Sequence, residues 1–128
     1  MMERYDIAIV GKGPAGVSCA LYTLRSGLST LLIACQAGEL ERVNAIENYY
    51  GFETITGPEL QARGEAQVRR LGGTFLTQEV TGMEQLADGF HLTAGPQDVE
   101  ARAVILATGR ARRKPTVPGL SQLEGKGV

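Results

Sequence analysis

Tryptophan is absent from the 128-residue sequence, which also contains a single histidine and only two cysteines. Cys19 and Cys35 form no C-x-x-C pair, so we expect free thiols in a reducing, cytoplasmic setting rather than a disulfide framework. His91 lies in a predicted strand, where we expect a solvated residue without a catalytic role. The sequence shows no metal-ligand pattern and no set of general acid, base and nucleophile.

Strong charge and long apolar runs are also missing. The net charge of −1 predicts no bulk attraction to nucleic acid or to a membrane surface. No apolar run reaches the 18 residues that a membrane span needs, and the first residues, Met1–Asp6, are too polar to begin a signal peptide. An apolar content of 43% is ordinary for one globular domain.

Glycine, by contrast, is abundant, with 17 residues, and three of them form a G-x-G-x-x-G motif near the start of the chain. Tyr5–Val10 precedes the motif as a predicted buried strand, and a helix is predicted from Pro14 to Ser26. Gly11 would permit a sharp turn, Gly13 would let a pyrophosphate approach the backbone, and Gly16 would let the helix pack on the strand. The free amides and partial positive charge of the helix N-terminus would favour phosphates.

The remaining pattern predicts an α/β, Rossmann-like fold. Thr56 and Glu59 form a capping box that begins a second helix, which ends near Leu71. Its buried face is predicted to carry Leu60, Gly64, Val68 and Leu71, and its polar face Gln61, Arg63, Glu65, Arg69 and Arg70. We expect a four-stranded parallel sheet with an inserted antiparallel meander. The parallel strands are Ile7–Val10, Leu31–Ala34, Thr74–Leu76 and Val104–Ala107, and the meander strands are Val80–Leu86, Phe90–Ala94 and Asp98–Arg102.

Several segments leave alternatives open. The second strand ends in Ala34 and Cys35, where many NAD-binding folds have an acidic residue, and Cys35 is either a redox thiol or a small packing residue. The segment Gln36–Thr56 is either a ligand-covering loop or a surface loop held down by its aromatic residues.

Thr108 and Gly109 would allow close approach of a ligand at the end of the fourth strand. The basic run that follows, Arg110 to Lys114, is either a phosphate site or a solvated exit segment, and the chain is expected to have no terminal helix.

Six short motifs follow one another along the chain: Gly11-Lys12-Gly13-Pro14-Ala15-Gly16, Ile46-Glu47-Asn48-Tyr49-Tyr50-Gly51-Phe52, Thr56-Gly57-Pro58-Glu59-Leu60, Ala107-Thr108-Gly109, Val117-Pro118-Gly119 and Gly125-Lys126-Gly127-Val128. With these motifs in this order and with matching gaps, the whole chain resembles the N-terminal part of the thioredoxin reductase family of flavoproteins. The resemblance implies an FAD-binding first segment at residues 1–114 and a linker at 115–128 toward an NAD(P)H-binding domain.

The resemblance also implies functions for individual residues. The FAD pyrophosphate would lie at Gly11, Gly13, Pro14, Ala15 and Gly16, the adenosine at Ala34 and Cys35, and the adenine at Val80. The flavin and its ribityl chain would lie near Gly38, Glu39, Asn44 and Asn48. NAD(P)H would reduce the flavin, and electrons would pass to a disulfide-containing protein or a small-molecule acceptor, in an enzyme that we expect to be a homodimer.

Two departures from the family pattern qualify these expectations. In the family, a second chain segment closes the flavin site, and an NADPH domain carries a C-x-x-C motif. Neither has a counterpart in the 128 residues. Relatives often have Gly-Gly-Gln where this chain has Ala37-Gly38-Glu39, and Glu39 beside a flavin would disfavour an anionic reduced ring. That would favour an electron acceptor other than thioredoxin. The alternatives are a non-enzymic dinucleotide-binding module and the same fold with NAD in place of FAD.

Overall fold

The computed structural model describes residues 2–36 and 38–127, in which one mixed sheet of six strands has the order β3-β2-β1-β6-β5-β4. Ala37 of the flavin-loop motif and Val128 of the terminal motif lie outside the described residues. None of the helices in the described part of the chain has the length and hydrophobicity needed to span a bilayer. The elements are β1 (Glu3–Val10), α1 (Pro14–Arg25), β2 (Thr30–Ile33), a 3-10 helix (Glu39–Arg42), α2 (Gly57–Arg70), β3 (Thr74–Leu76), β4 (Val80–Leu86), β5 (Gly89–Ala94), β6 (Gln97–Leu106) and α3 (Leu120–Leu123).

The parallel half of the sheet confirms the prediction from the apolar runs. β1 pairs in parallel with β2 from Ile7 opposite Thr30 to Val10 opposite Ile33. β2 pairs in parallel with β3, and β1 pairs in parallel with β6. Strand, helix and strand therefore form the expected βαβ unit, and β3, β2, β1 and β6 form the expected parallel set.

The meander differs from the prediction in one respect. The predicted strands Asp98–Arg102 and Val104–Ala107 are a single strand, β6, because no turn residue interrupts the sequence between them. Its first half pairs antiparallel with β5, from Ala94 opposite Gln97 to Phe90 opposite Ala101. β6 thus belongs to both halves, and the meander extends the sheet instead of being inserted beside it.

The two faces of the sheet bury different clusters, as the alternation of side chains along a strand requires. Ile9 and Leu32 pack with Val17 and Ala20 of α1 and with Val68 of α2. On the other face, residues of β1 and β2 pack with residues of β5 and β6; its fully or nearly fully buried members are Ala8, Leu31, Ile33, Leu92, Ala94, Val99 and Ala101. Both faces of β2 and of the second half of β1 are therefore covered, which explains their continuous apolar sequences.

Two segments predicted to be irregular contain local structure. The Gln36–Thr56 loop holds the 3-10 helix and a two-residue bridge, in which Ile46 and Ile55 exchange backbone hydrogen bonds of 2.8 and 3.1 Å. Near the end of the chain, Leu120–Leu123 forms a single helical turn, although no terminal helix was expected.

The predicted N-cap of α2 gives a stability test. The Thr56 hydroxyl accepts a hydrogen bond of 3.2 Å from the Glu59 amide. Replacing Thr56 by alanine leaves that amide without its cap and should lower the free energy of unfolding by about 1 kcal/mol. Thermal unfolding followed by circular dichroism measures the loss. Thr54→Ala, at an exposed position two residues earlier, is the matched control, and equal stabilities of the two variants would contradict the prediction.

One half of β6 has an open edge. Residues 103–106 pair with β1 on one side, and within the described residues no strand pairs with their other side. Leu106 is 66% exposed at this edge. Unpaired strand edges with apolar side chains promote association between chains, so we expect the 128-residue polypeptide to self-associate as its concentration rises.

Sedimentation velocity over a range of concentrations tests this expectation. Leu106→Lys should shift the polypeptide toward the monomer, because a charged side chain at an edge opposes pairing with a second strand. Leu123→Lys changes another exposed leucine, 51% exposed on α3, and serves as the control. If both variants associate as the unmodified chain does, the open edge is not the site of association.

Candidate functional site

The glycine motif lies at the carboxyl ends of the parallel strands. The Gly11 amide donates a hydrogen bond of 2.9 Å to the Ile33 carbonyl at the end of β2, and the Ala107 amide donates one of 2.8 Å to Val10. The turn is thus attached to both neighbouring strands. In open α/β sheets, ligands bind in the crevice outside this edge.

Gly11 and Gly16 are explained by the protein itself. Gly11 has a φ of +114°, and a Cβ atom at this position would collide with the Ala107 carbonyl oxygen. A Cβ atom at Gly16 would collide with the Gly11 carbonyl oxygen and lie 3.0 Å from its carbonyl carbon. The turn and the close packing of helix on strand therefore require both glycines, as predicted from the motif.

Gly13 has no such explanation within the protein. Its φ of −69° and ψ of −172° are extended backbone that any residue adopts. Apart from Gly13 and its two neighbours in the chain, no residue has an atom within 4 Å of the position that its Cβ atom would occupy. The space above Gly13 is therefore open, and a ligand that lies close to the backbone is the remaining reason for a glycine here.

The start of α1 borders this space. Gly13 is the N-cap and makes no side-chain capping bond, Pro14 is the first helical residue, and the first turn contains no acidic side chain. Pro14 has no amide hydrogen, so the amides of Ala15 and Gly16 are the first-turn donors without a partner inside the helix. The N-terminus is consequently free of competing acceptors and favours an anion.

The ends of β2 and β6 lie beside the glycine turn. Ala34 donates its amide to the Leu76 carbonyl over 3.1 Å, and Cys35 is exposed with a free thiol. After β6, Thr108 is exposed, and Gly109 has a φ of +71° with open space at its Cβ position. The structure therefore brings Ala34, Cys35, Thr108 and Gly109 to the same edge as the glycine turn.

Val80 differs from these residues, because it begins β4 opposite Ala94 and packs against the buried cluster on the meander face of the sheet. It is partly buried and has a packing role in the protein itself. A contact between Val80 and adenine stays a prediction.

The polar residues predicted to lie near a flavin are Gly38, Glu39, Asn44 and Asn48, and all four are exposed. Gly38 is the N-cap of the 3-10 helix, and the Glu39 carboxylate lies 4.0 Å from Arg42. The segment is anchored on α2, since the Gly57 amide donates to the Val43 carbonyl over 2.8 Å. A Cβ atom at Gly57 would collide with the Leu40 carbonyl oxygen, so the first residue of α2 must be a glycine.

Aromatic residues hold the outer part of this segment. The rings of Tyr49 and Phe52 are 6.3 Å apart between their centroids, and the Arg63 guanidinium lies 5.1 Å from the centre of the Phe52 ring. Tyr50, between them in sequence, is 100% exposed. These contacts favour an ordered loop, as expected from its aromatic content.

Sequence patterns missed the polar residues that support the glycine turn. Gln61 and Glu65 were assigned to the polar face of α2, yet Gln61 is 7% exposed and its side-chain amide donates to the Lys12 carbonyl over 2.5 Å. The Lys12 ammonium lies 3.1 Å from the Glu65 carboxylate. The signal was the spacing of Gln61, Gly64 and Val68 at i, i+3 and i+7, which places Gln61 on the buried face.

Glu65 remains ionised in this environment. Burial raises the pKa of its carboxyl, but hydrogen bonds from Gln61 and Lys12 outweigh burial and hold the pKa below its ordinary value. The carboxylate therefore balances the Lys12 charge next to the turn at neutral pH.

Surface clefts of about 640 and 700 Å³ lie away from the glycine turn. The charged groups lining the first pair with one another, with Arg4 2.6 Å from Asp88 and Arg102 3.3 Å from Asp6. Within residues 2–36 and 38–127, no three His, Cys, Asp or Glu side chains cluster as they would around a metal ion. The glycine turn, by contrast, combines open space at Gly13 with free amides at the start of α1, which is the geometry of a binding site for an anionic ligand.

Comparisons with known proteins identify the family of the chain. Residues 5–128 match the protein family described as pyridine nucleotide-disulphide oxidoreductase. The chain is 38% identical over 129 aligned residues to a thioredoxin reductase of Bacillus subtilis, covering 97% of this chain and 40% of that protein. It is 39% identical to a thioredoxin reductase of Treponema pallidum, covering 100% of this chain and 43% of that protein.

A solved structure shows the same fold. The thioredoxin reductase of Lactococcus lactis superposes with a TM-score of 0.85 at 36% identity, over 94% of this chain and 41% of that structure. The expected resemblance to thioredoxin reductases and the expected Rossmann-like fold are confirmed. The chain spans about 40% of the length of the relatives that it matches.

Proposed function

Because the chain belongs to the pyridine nucleotide-disulphide oxidoreductase family, we propose that residues 1–114 are the first segment of the FAD-binding domain of a thioredoxin reductase-like flavoprotein. The observation that carries this proposal is the open space at Gly13, where the protein itself does not require a glycine. A pyrophosphate that approaches the backbone at this point explains the residue.

The residues present fit the adenosine and pyrophosphate half of FAD. Gly11, Gly13, Pro14, Ala15 and Gly16 would bind the pyrophosphate through the turn and the free helix amides. The adenosine would be bordered by Ala34 and Cys35 at the end of β2, and its adenine by Val80. Thr108 and Gly109 would allow close approach of the cofactor, and Gly38, Glu39, Asn44 and Asn48 would border the flavin and its ribityl chain. A bound flavin would supply the two-electron chemistry, whereas these residues bind and orient it.

The activity of the whole protein is part of the proposal. The relatives named thioredoxin reductase suggest that NAD(P)H reduces the flavin and that a disulfide, in a protein or in a small molecule, accepts the electrons. Residues 115–128 would be the linker toward an NAD(P)H-binding domain. We further propose a cytoplasmic homodimer; the free Cys19 and Cys35 are consistent with a reducing compartment.

The alternatives differ in their ligand or in its use. An NAD-binding domain is disfavoured by Ala34 and Cys35, since neither side chain offers the carboxylate that commonly binds the adenosine ribose. A non-enzymic module is disfavoured by the family match over residues 5–128. The long anchored loop between β2 and α2 also suits a ligand with a large ring system.

Fluorescence anisotropy of FAD tests the proposed ligand. We expect the anisotropy to rise on titration with the 128-residue polypeptide. Excess ADP, which shares the adenosine and pyrophosphate half, should displace the FAD, whereas NAD+ should displace it less effectively. No rise in anisotropy at millimolar protein, or displacement by NAD+ at a lower concentration than by ADP, would contradict the proposal.

A further inference from the structure

A partly buried polar cluster of Lys12, Gln61 and Glu65 lies at the glycine turn. Gln61 and Thr30 are the buried polar side chains of the described core, and Gln61 lies one turn into α2. Burying an amide side chain is unfavourable unless each polar group finds a partner. The partners of Gln61 therefore indicate why this residue is buried at this position.

Both partners of the Gln61 amide nitrogen are acceptors. One hydrogen bond of 2.5 Å goes to the Lys12 carbonyl, and one of 3.0 Å goes to the Glu65 carboxylate. The nitrogen thus uses both of its hydrogens, and exchanging the positions of nitrogen and oxygen would place oxygen against oxygen twice. The orientation of the Gln61 amide is determined by these neighbours.

The position of Gln61 is set by helix packing and does not depend on the turn. One turn later on α2, a Cβ atom at Gly64 would lie 2.8 Å from a methyl group of Val17 on α1. Val68, fully buried, packs in the cluster that joins α1, α2 and the sheet. The helix therefore presents Gln61 to the turn from a fixed position.

The Lys12 carbonyl has a direct geometric link to Gly13. The Lys12 carbonyl and the Gly13 amide belong to one peptide plane, and the described chain contains no cis peptide bond. In a trans peptide the C=O and N–H groups point in opposite directions. A hydrogen bond that holds the Lys12 carbonyl toward α2 consequently directs the Gly13 amide away from α2.

We propose that Gln61 is a positioning residue for the pyrophosphate site: it fixes the Lys12–Gly13 peptide so that the Gly13 amide is oriented before the cofactor arrives. This inference rests on the proposed binding of FAD by the glycine turn. Glu65 supports the same arrangement, because it accepts from both Gln61 and the Lys12 ammonium and so anchors the side chain as well as the backbone of Lys12. Arg69, 3.4 Å from the other Glu65 oxygen, completes the charged groups that face this cluster.

Two variants of Gln61 separate positioning from packing. Gln61→Met keeps the length of the side chain but removes both hydrogen bonds that its amide nitrogen donates. FAD affinity should fall about tenfold, the effect of one hydrogen bond lost between the no longer oriented Gly13 amide and the pyrophosphate. Gln61→Glu places a carboxylate against the Lys12 carbonyl and Glu65, which raises the pKa of the new acid. Its affinity should be poor at pH 8 and recover as the pH falls toward 5, because the protonated acid can again donate to Lys12.

The matched control is Glu59→Gln, which removes the 2.7 Å ion pair with Arg63 on the same helix without touching the turn. The control and the unmodified chain should bind FAD with a flat pH profile over this range, because FAD pyrophosphate is doubly esterified and does not titrate there. Thermal unfolding of each variant establishes that it is folded under the conditions of the titration.

Hydrogen exchange without FAD gives a second readout. The Gly11 and Val17 amides, which donate to the Ile33 and Gly13 carbonyls at the turn, should exchange faster in Gln61→Met than in the control, since the turn is no longer held. If Gln61→Met binds FAD as tightly as the control and its exchange is unchanged, the positioning role is wrong while the proposed function stands. If the unmodified chain does not bind FAD, the proposed function fails. Hydrogen exchange then tests the positioning role by itself: faster exchange in Gln61→Met supports it, and unchanged exchange overturns it.

Discussion

Replacing Gly13 by valine should abolish measurable FAD binding and leave the fold intact. The valine side chain would occupy the open space that we assign to the pyrophosphate. The backbone at Gly13, with φ −69° and ψ −172°, accepts a β-branched residue without strain. We expect affinity to fall at least about 100-fold, which corresponds to about 2.7 kcal/mol, as measured by FAD anisotropy.

Two further variants make this prediction specific. Ser18→Val adds the same side chain at an exposed position of α1 and should bind FAD normally. Gly16→Val should instead unfold the protein, because its side chain would collide with the Gly11 carbonyl. Unchanged affinity in a folded Gly13→Val protein would show that the pyrophosphate does not lie over this residue.

The 128-residue polypeptide should purify without colour, or bind FAD weakly, and should not oxidise NADPH. The glycine turn and Gly109 can border the adenosine and pyrophosphate half of FAD, but the Glu39, Asn44 and Asn48 side chains are exposed. Within the described residues, the edge at 103–106 also has no partner strand on the side away from β1. Part of the flavin ring would therefore stay in water, and the sequence shows no catalytic set to carry the chemistry.

An absorbance spectrum after FAD addition and desalting, followed by NADPH, tests this prediction. We expect a flavin content well below one per chain and no bleaching of the flavin band when NADPH is added. Free FAD carried through the same desalting step controls for incomplete removal. A stoichiometric yellow protein that bleaches with NADPH would show that these residues suffice for a reductase, and the prediction would be wrong.

Much of the site could be predicted because its signals are local. Gly11 has a positive φ that the turn requires, and Gly27 after α1 has a φ of +79°, the left-handed conformation in which glycine commonly ends a helix. The Thr56 cap is a contact between residues three positions apart. Steric limits of the backbone and short-range hydrogen bonds leave a pattern in consecutive residues, and such patterns can be recognised without knowing the fold.

Strand boundaries were less predictable where no turn residue marks them. Apolar and polar residues alternate through Ala101, Arg102 and Ala103 without interruption, and the two predicted strands proved to be one. Which half of β6 pairs with β5 and which half has an open edge depends on where the meander meets the sheet. That arrangement leaves no local signature in β6 itself.

By itself the sequence determined the strand–turn–helix unit at Gly11–Gly16, the parallel strands and the cap at Thr56, because backbone sterics and side-chain periodicity act over a few residues. Only the tertiary structure decided that Gln61 supports Lys12, a contact that spans 49 residues of sequence. The tertiary structure also showed that Gly13, unlike Gly11 and Gly16, has no neighbour that excludes a side chain. A contact between distant residues depends on how α2 packs against α1, and helix packing is a property of the assembled core.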